Sequence, residues 1–301
     1  MKREMFDFAG FGGTNLPGYL WLPEGEIKAI LQISHGMTEH MGRYESFAQY
    51  LCPYGIAVAG FDLRGHGKNP GDSDVASFGE GGWAASIEDM RLFYELLEQR
   101  FAGAPHYMLG FSLGSFLLRE YLPKYPAGVA GAVIMGTGHQ PGWLLSVMMG
   151  IVKGQIQKAG FDKTTDLVRQ LSFGTYNQKC KPNRTAADWL CSDETELDKY
   201  LADPLVRKDI SAGLFWELLD SMKRAGAACN YGSLRILLIS GQDDPVGDAG
   251  KGVQAIYNRM KKTGMENVTR KLFPGARHDL LHEESTAAEE TRKCIAAWMD
   301  L

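Results

Sequence analysis

Short apolar runs and segments with helical spacing alternate along the first part of the chain. Ala29–Ser34 and Ile56–Phe61 are almost wholly apolar, which is typical of strands that are buried on both faces of a sheet. Between them, Tyr44–Leu51 places its apolar residues three or four positions apart, and this spacing predicts a helix. Ala84–Phe101 repeats the spacing over a longer segment. The alternation predicts a parallel sheet with helices on both faces.

The alternation is interrupted once and then resumes. Further strands are predicted at His106–Leu109, Ala130–Met135, Leu234–Ser240 and Val268–Phe273, and further helices at Ser112–Tyr125, Gly250–Lys262 and Glu283–Met299. From about His139 to about Met222 there is no convincing strand, and the helical segments begin at Trp143 and Ala212. We therefore predict one α/β core, formed by residues 1–138 and 223–301, and an inserted helical cap at residues 139–222.

Composition narrows the class of protein. The chain has 301 residues, of which 45% are hydrophobic and 23% charged, as in an ordinary globular protein. Its net charge of −4 argues against a nucleic-acid partner, for which a basic face is expected. Five scattered cysteines show neither disulfide nor metal spacing, and the first residues lack the apolar core of a signal peptide. These features predict a cytoplasmic location.

One uncharged stretch, Ala127–Val152, needs comparison with a membrane span. Gly136–Gly142 divides it, and neither half reaches the roughly 20 apolar residues that a spanning helix needs. We therefore expect no stable membrane insertion. The second half, Trp143–Val152, is apolar almost all round, so it either packs in the core of the cap or faces an acyl chain or a lipid surface. Transient lipid contact through the cap stays open.

The strongest motif is Gly110-Phe111-Ser112-Leu113-Gly114. It follows a predicted strand and begins a predicted helix, which is the setting of the nucleophile elbow. A serine on such a sharp turn has strained backbone angles, and bulky neighbours would clash. Its position at a helix N-terminus also directs backbone N–H groups at developing negative charge. The motif predicts Ser112 as a nucleophile.

A serine hydroxyl needs a base, and the base needs an orienting acid; in this motif's fold their chain order is serine, acid, histidine. Asp243 and Asp244 both follow the strand that ends at Ser240, so either could be the acid. His278 follows the strand that ends at Phe273 and is the favoured base. His282 lies close by, but it is placed at the start of the last helix.

An oxyanion hole needs two backbone N–H groups. We assign one to Leu113, directly after the nucleophile, and the other to Met37, in the loop after Ala29–Ser34. The neighbouring Glu39, His40 and Arg43 are better explained as a buried polar network that fixes this loop, because buried charges need partners. Arg64 and His66 receive the same interpretation, and a role for His139 is open.

Several of these motifs together resemble one family. His35–Tyr44 is similar to the His-Gly-x-x-Glu-His-x-x-Arg-Tyr segment of the monoacylglycerol lipase and lysophospholipase group, and Asp62–Gly67 is similar to its second signature. Gly110–Gly114, Gly241–Pro245 and Gly275–His278 match in order and placement. The resemblance implies the α/β-hydrolase fold, with an eight-stranded, mostly parallel sheet and a helical cap. It also implies a Ser112–Asp244–His278 triad with Met37 and Leu113 as oxyanion donors.

The resemblance implies hydrolysis of a small acyl ester, such as a monoacylglycerol or a lysophospholipid, without a cofactor or a metal. A serine aminopeptidase-like peptidase is the alternative, and it would need acidic cap residues to bind a substrate amine. The candidates for that role are Asp188, Asp193, Glu194 and Glu196. A non-catalytic binding protein would show a damaged triad, and none is visible. Epoxide hydrolases and dehalogenases of the fold carry aspartate where Ser112 stands.

Overall fold

Eight strands form one sheet within residues 1–69, 74–227 and 229–300, the parts of the chain that the computed structural model describes. Two further short strands pair with each other beside it. The strands are β1 (Lys2–Ala9), β2 (Asn15–Leu22), β3 (Ala29–Ser34), β4 (Ile56–Phe61), β5 (Val75–Ala76), β6 (His106–Phe111), β7 (Val129–Met135), β8 (Asp209–Ile210), β9 (Arg235–Gly241) and β10 (Val268–Phe273).

The order of the strands across the main sheet is β1-β2-β4-β3-β6-β7-β9-β10. From β4 to β10 every neighbouring pair is parallel, whereas β1 and β2 pair antiparallel with each other and β2 pairs antiparallel with β4. The carboxyl ends of the parallel strands meet at one edge, where α/β folds build their sites. The predicted eight-stranded, mostly parallel sheet is confirmed.

The helices lie on both faces of this sheet. They are α1 (Glu45–Leu51), α2 (Gly82–Arg100), α3 (Leu113–Lys124), α4 (Gly142–Ala159), α5 (Asp166–Ser172), α6 (Glu194–Ala202), α7 (Ala212–Ala227), α8 (Lys251–Lys262) and α9 (Ser285–Trp298), with 3₁₀ turns at Phe11–Gly13, Met41–Tyr44, Cys52–Tyr54 and Asn177–Cys180. Helices α1 and α9 pack in one apolar core, and α2, α3 and α8 pack in the other. Strand β3 contributes to both cores. Ile30 lies in the core of α2, α3 and α8, and Leu31, on the other face of the sheet, lies in the core of α1 and α9.

The first two strands of the main sheet were not located by the apolar pattern. β1 exposes most of its residues, so its sequence has no continuous apolar run. β2 is a continuous strand, but Pro17 and Gly18 break the apolar run in its sequence. They form an antiparallel pair at the edge of the sheet. Every other strand of the main sheet lies within two residues of its predicted bounds.

The chain between β7 and β9, residues 136–234, is called the insert below. Its described residues add no strand to the main sheet; they contain α4 to α7, and β8 pairs with β5 of the core. Helix α7 packs against α4 and also against α3 of the core. The division into residues 1–138, 139–222 and 223–301 stays a prediction, and α7 crosses its second boundary. Among the described residues, no helix is both long enough and apolar enough to cross a membrane.

Candidate active site

Ser112 lies on a sharp turn between β6 and α3. Its backbone angles are φ 49° and ψ −114°, outside the regions that a residue with a Cβ prefers, at a cost of about 1–3 kcal/mol. The two flanking glycines make the turn possible. A Cβ at Gly110 would lie 2.4 Å from the carbonyl oxygen of Gly114, and a Cβ at Gly114 would lie 2.0 Å from that of Ser34. The geometry is that of a nucleophile elbow.

Two other predicted residues meet beyond the carboxyl ends of β9 and β10. Nδ1 of His278 lies 3.0 Å from Oδ2 of Asp244, and both side chains are buried. The same carboxylate accepts hydrogen bonds from Ser240 Oγ at 3.1 Å and from the backbone N–H of Val246 at 2.8 Å. Asp243 is exposed instead. The structure therefore brings Asp244 to His278 and leaves Asp243 at the surface.

The hydrogen bond to Asp244 fixes the proton on the ring of His278. A carboxylate only accepts, so Nδ1 carries the proton and Nε2 of a neutral ring is left as an acceptor. Nε2 is buried and has no hydrogen-bond partner in the described structure. The ring contacts Phe111 and Trp189, with centroid separations of 4.9 and 5.1 Å. Nε2 of His278 is therefore a buried acceptor between two aromatic rings, and it is free to accept a proton.

Ser112 and His278 line one small cavity of about 20 Å³, which is little more than the space of one water molecule. Met37 lines it as well, from the loop after β3. Four side chains of the insert close it from above: Phe173, Trp189, Leu190 and Tyr200. These four were missed at the level of sequence, because they follow no periodic pattern and come from short helices and irregular chain.

A larger cavity of about 570 Å³ lies next to the first and shares those four side chains with it. Its walls are mostly apolar and come almost entirely from the insert, including Ala186, Leu201 and Val206. Thr38 also lines both cavities. Only a layer of side chains therefore separates the small cavity at Ser112 from the large cavity, which is of the size of a ligand.

The backbone N–H groups of Met37 and Leu113 are available for an anion. Within the described parts of the chain, neither donates a hydrogen bond. The direction of the first is set by His35, whose Nδ1 donates to the carbonyl of Gly36 at 2.7 Å. A peptide unit is planar and trans, so holding the Gly36 carbonyl holds the N–H of Met37 in the opposite direction.

The tautomer of His35 follows from its second contact. Nε2 accepts the backbone N–H of Leu63 at 2.9 Å, which leaves the proton on Nδ1 for the Gly36 carbonyl. The ring is fully buried, and burial lowers the pKa of His35 to about 3. This histidine is therefore neutral over the range in which most enzymes work.

The predicted polar network behind the Met37 loop is present. Glu39 accepts the backbone N–H of Gly36 at 2.6 Å and pairs with Arg43. Arg43 also reaches Asp279, at 2.9 Å. Burial alone would raise the pKa of Asp279, but His282 and Arg43 hold it well below its usual range. The network links the Met37 loop to the loop that carries His278.

The other histidines considered from the sequence have structural contacts. His282 is bonded through Nδ1 to Asp279 and through Nε2 to the carbonyl of Arg43, so neither ring nitrogen faces Ser112. Nδ1 of His66 donates to the carbonyl of Arg64 at 2.8 Å. His139 is not among the residues that line the Ser112 cavity.

The acidic residues proposed for an amine subsite lie elsewhere. Asp188 accepts hydrogen bonds from the turn at residues 184–185, and Asp193 caps the N-terminus of α6. Glu194 is exposed, and Glu196 pairs with Lys199. None of the four lines either cavity.

Comparison with known proteins shows the family to which this chain belongs. The model of the family described as "Serine aminopeptidase, S33" matches residues 25–285. Monoglyceride lipase of Homo sapiens is 27% identical over 266 residues, which are 88% of this chain and 79% of the human protein. Monoacylglycerol lipase of Mycolicibacterium smegmatis is 24% identical over 290 residues, 93% of this chain and 92% of that protein.

A solved structure shows the same fold. A highly thermostable carboxyl esterase from Bacillus coagulans, crystallised in complex with glycerol, superposes with a TM-score of 0.87. The alignment covers 100% of this chain and 98% of the esterase, at 23% sequence identity. The insert is therefore part of the shared architecture, as well as the sheet.

Proposed function

This chain belongs to the α/β-hydrolase family described as serine aminopeptidase S33, and we propose that it is a serine hydrolase that cleaves carboxylic esters. Its substrates are monoacylglycerols, lysophospholipids or similar acyl esters. The names of the human and mycobacterial relatives support the acylglycerol substrate. The observation that carries the proposal is the strained Ser112, which shares one cavity with the buried His278–Asp244 pair.

The chemistry follows from the protonation states. Nε2 of His278 takes the proton of Ser112 Oγ as the oxygen attacks the ester carbonyl, and Asp244 stabilises the resulting imidazolium. The N–H groups of Met37 and Leu113 stabilise the oxyanion. His278 then gives the proton to the leaving alcohol, and an acyl-enzyme forms. Water, deprotonated by the same histidine, releases the acid.

The adjacent aspartates provide a matched test of this assignment. Asp244→Asn should lower kcat for 4-nitrophenyl butyrate by about 10³–10⁴-fold, because the amide favours the wrong tautomer of His278. Asp243→Asn, one residue away and exposed, should stay within about twofold of wild type. Ser112→Ala should abolish both turnover and labelling by a fluorophosphonate. Equal activity of the two asparagine variants would contradict the assigned acid.

The large cavity is the proposed site of the acyl chain. Phe173 is one of the four insert side chains that line both spaces, and its ring stacks on Trp189 with centroids 5.9 Å apart. Displacement of this layer of side chains would join the two spaces. Each buried methylene is worth about 0.8 kcal/mol, and kcat/KM should therefore rise about fourfold per methylene. A series of nitrophenyl esters from acetate to dodecanoate measures this slope. A flat series would argue against an acyl chamber.

The family is described as a serine aminopeptidase, so peptidase activity is the alternative to ester hydrolysis. An aminopeptidase needs an anionic group for the substrate amine, and none of the four acidic insert residues named above lines either cavity. The carboxylates that do line a cavity already have cationic or imidazole partners: Asp203 has His40, Asp74 has Lys208 and Glu39 has Arg43. Amino-acid amides and monoacylglycerols should therefore be compared on one enzyme preparation. Hydrolysis of the acylglycerol with no detectable hydrolysis of the amides is the expected result, and the reverse preference would replace the ester proposal.

Contact with a lipid surface is proposed for α4. Trp143, Val147 and Ile151 are 71%, 54% and 40% exposed and lie on one face of this helix, while Leu145 and Val152 are buried. Trp143→Ser should reduce co-sedimentation with phosphatidylcholine vesicles, whereas Phe11→Ser, which removes a 52% exposed ring far along the chain, should not. Equal loss in both variants would contradict this contact.

A cytoplasmic location is proposed from the cysteines. All five lie in the described part of the chain, and none is paired with another. Four of them are buried, where a thiol behaves as a small apolar side chain.

A further inference from the structure

Three consecutive peptide units around Met37 are each held through their carbonyl oxygen. His35 donates to the carbonyl of Gly36, as described above. Oγ1 of Thr38 donates to the carbonyl of Met37 at 2.5 Å. The backbone N–H of Arg207 donates to the carbonyl of Thr38 at 2.8 Å. The proposed oxyanion donor therefore sits in a loop whose peptide planes cannot turn freely.

Thr38 adopts a conformation that it would not adopt unaided. Its φ is 69°, in the left-handed region, which is unfavourable for a β-branched residue. Such strain persists only when surrounding contacts hold it in place. The side chain is buried, and its hydroxyl has two neighbours, the carbonyl of Met37 and the hydroxyl of Tyr200.

Counting hydrogens assigns the direction of the second contact. The Thr38 hydroxyl has one hydrogen, and a carbonyl cannot donate, so that hydrogen points at Met37. Tyr200 must then donate its own hydrogen to Thr38 Oγ1, across 2.8 Å. The Tyr200 hydroxyl thus keeps the threonine rotamer that holds the carbonyl of Met37, in the peptide unit directly after the one that carries the Met37 N–H.

Tyr200 belongs to α6 of the insert, and Arg207 follows in the same segment. The segment from Tyr200 to Arg207 contacts the core at two further points. Asp203 lies 2.9 Å from Nε2 of His40, and the ring of Tyr200 stacks beneath the guanidinium of Arg43 at 4.9 Å. Two of the three contacts that fix the loop therefore depend on the insert, through Tyr200 and Arg207.

We infer that Tyr200 is a positioning residue for the oxyanion hole: through Thr38 it fixes the Met37–Thr38 peptide, so the conformation of the loop that carries the Met37 N–H depends on the docking of the insert. The inference rests on the proposed function. It gives the insert a role in the chemical step, in addition to its role as a wall of the substrate cavity. Tyr200 need not touch the substrate to affect turnover.

Tyr200→Phe is the sharpest variant, because it removes one hydroxyl and keeps the ring on Arg43. With 4-nitrophenyl acetate, whose acyl group is too short to use the large cavity, kcat should fall about fivefold, the loss of one hydrogen bond, while KM stays within twofold. The affinity for a trifluoromethyl ketone, which forms an oxyanion with the serine, should fall by the same factor. Tyr107→Phe is the control, since it removes another buried hydroxyl, 3.4 Å from the carbonyl of Met299.

A double-mutant cycle separates positioning from direct contact. Thr38→Val removes the hydroxyl that Tyr200 holds, so Tyr200→Phe should cost nothing further in that background. The same fivefold loss in both backgrounds would mean that Tyr200 acts on the substrate or on packing, and would overturn the inference alone. Unchanged kcat in Tyr200→Phe would overturn it as well. Absence of ester turnover by the wild-type protein would overturn the proposed function and this inference together.

Discussion

His35 shows how one buried ring can direct a backbone group that lies beside it. Its two nitrogens have different tasks, since Nε2 accepts from Leu63 and Nδ1 donates to Gly36. Only the second contact bears on the N–H of Met37. The two tasks can therefore be separated by substitution.

His35→Asn should retain more activity than His35→Ala. The asparagine amide can place a donor near the position of Nδ1 and keep the Gly36 carbonyl, whereas alanine leaves that carbonyl without its partner. We expect kcat for 4-nitrophenyl acetate to fall about 10-fold or more in His35→Ala and clearly less in His35→Asn. Both variants lose the acceptor for Leu63, so each should be less stable by about 1–3 kcal/mol in urea unfolding. Equal kcat values for both would show that the Gly36 contact is unimportant.

The proposed catalytic residues could be predicted from the sequence where a motif fixed their place. Ser112 has an obligatory pattern of glycines, and His278 follows a strand whose bounds were clear. The choice between Asp243 and Asp244 needed the family resemblance, because adjacent residues share every local signal. Trp189 and Tyr200 could not be found, since their roles depend on how irregular segments of the insert fold back over the sheet.

At the scale of elements, the apolar pattern succeeded where a strand is buried on both faces. β3 and β4 consist of buried residues, and their predicted bounds match the structure. The pattern did not reveal β1, because this strand lies at the edge of the sheet and is largely exposed. Its sequence therefore mixes apolar and polar residues. The two-residue strand β8 was also missed, because so short a pairing is decided by contact with β5 and not by local sequence.

The junction between α7 and α2 contains a carboxyl group with too few partners. Glu217 is buried on α7; its Oε1 accepts the N–H of Trp83 at 3.4 Å, and its Oε2 has no partner among the described residues. Burial raises the pKa of Glu217 to about 7. A raised pKa means that the glutamate favours folding below the pKa of the unfolded chain, about 4.5, and that this contribution is lost as the pH rises through about 7.

Glu217→Gln should therefore stabilise the protein at pH 8, by about 1–3 kcal/mol in urea unfolding, and have little effect at pH 4.5. The amide cannot ionise, so it avoids the cost of a buried charge. Glu290→Gln on α9, where the side chain is exposed, should change stability by less than about 0.5 kcal/mol at either pH. A gain for Glu217→Gln that does not depend on pH would point to packing and not to ionisation.

At the scale of the whole molecule, buried neutral histidines determine how the fold responds to acid. Burial lowers the pKa of each of three histidines, His35, His66 and His106, to about 3. His35 and His66 donate from Nδ1 to backbone carbonyls, and Nδ1 of His106 lies 3.1 Å from the carboxylate of Glu98. The unfolded chain binds these three protons near pH 6.5, whereas the folded chain resists them until about pH 3.

Stability should therefore fall as the pH is lowered below about 6.5, because there the unfolded state binds more protons than the folded state. The three histidines give a slope of about 4 kcal/mol per pH unit, but Glu217 takes up a proton in the folded state between about pH 7 and 4.5 and cancels about a third of it. The wild-type slope should thus be about 2.7 kcal/mol per pH unit above pH 4.5 and steeper below.

The opposing proton uptake of Glu217 and the histidines also predicts how Glu217→Gln responds to acid. Its unfolding free energy should fall more steeply with decreasing pH than that of the wild type. Glu217→Gln lacks the compensating proton, so its unfolding free energy should fall at about 4 kcal/mol per pH unit from pH 6.5 downwards. Urea unfolding at half-unit steps from pH 8 to pH 4.5 measures both slopes. The two curves should converge near pH 4.5, where the glutamate is protonated in both states. Parallel curves would show that the glutamate and the histidines do not balance in this way, and the response to acid would then have to come from other groups.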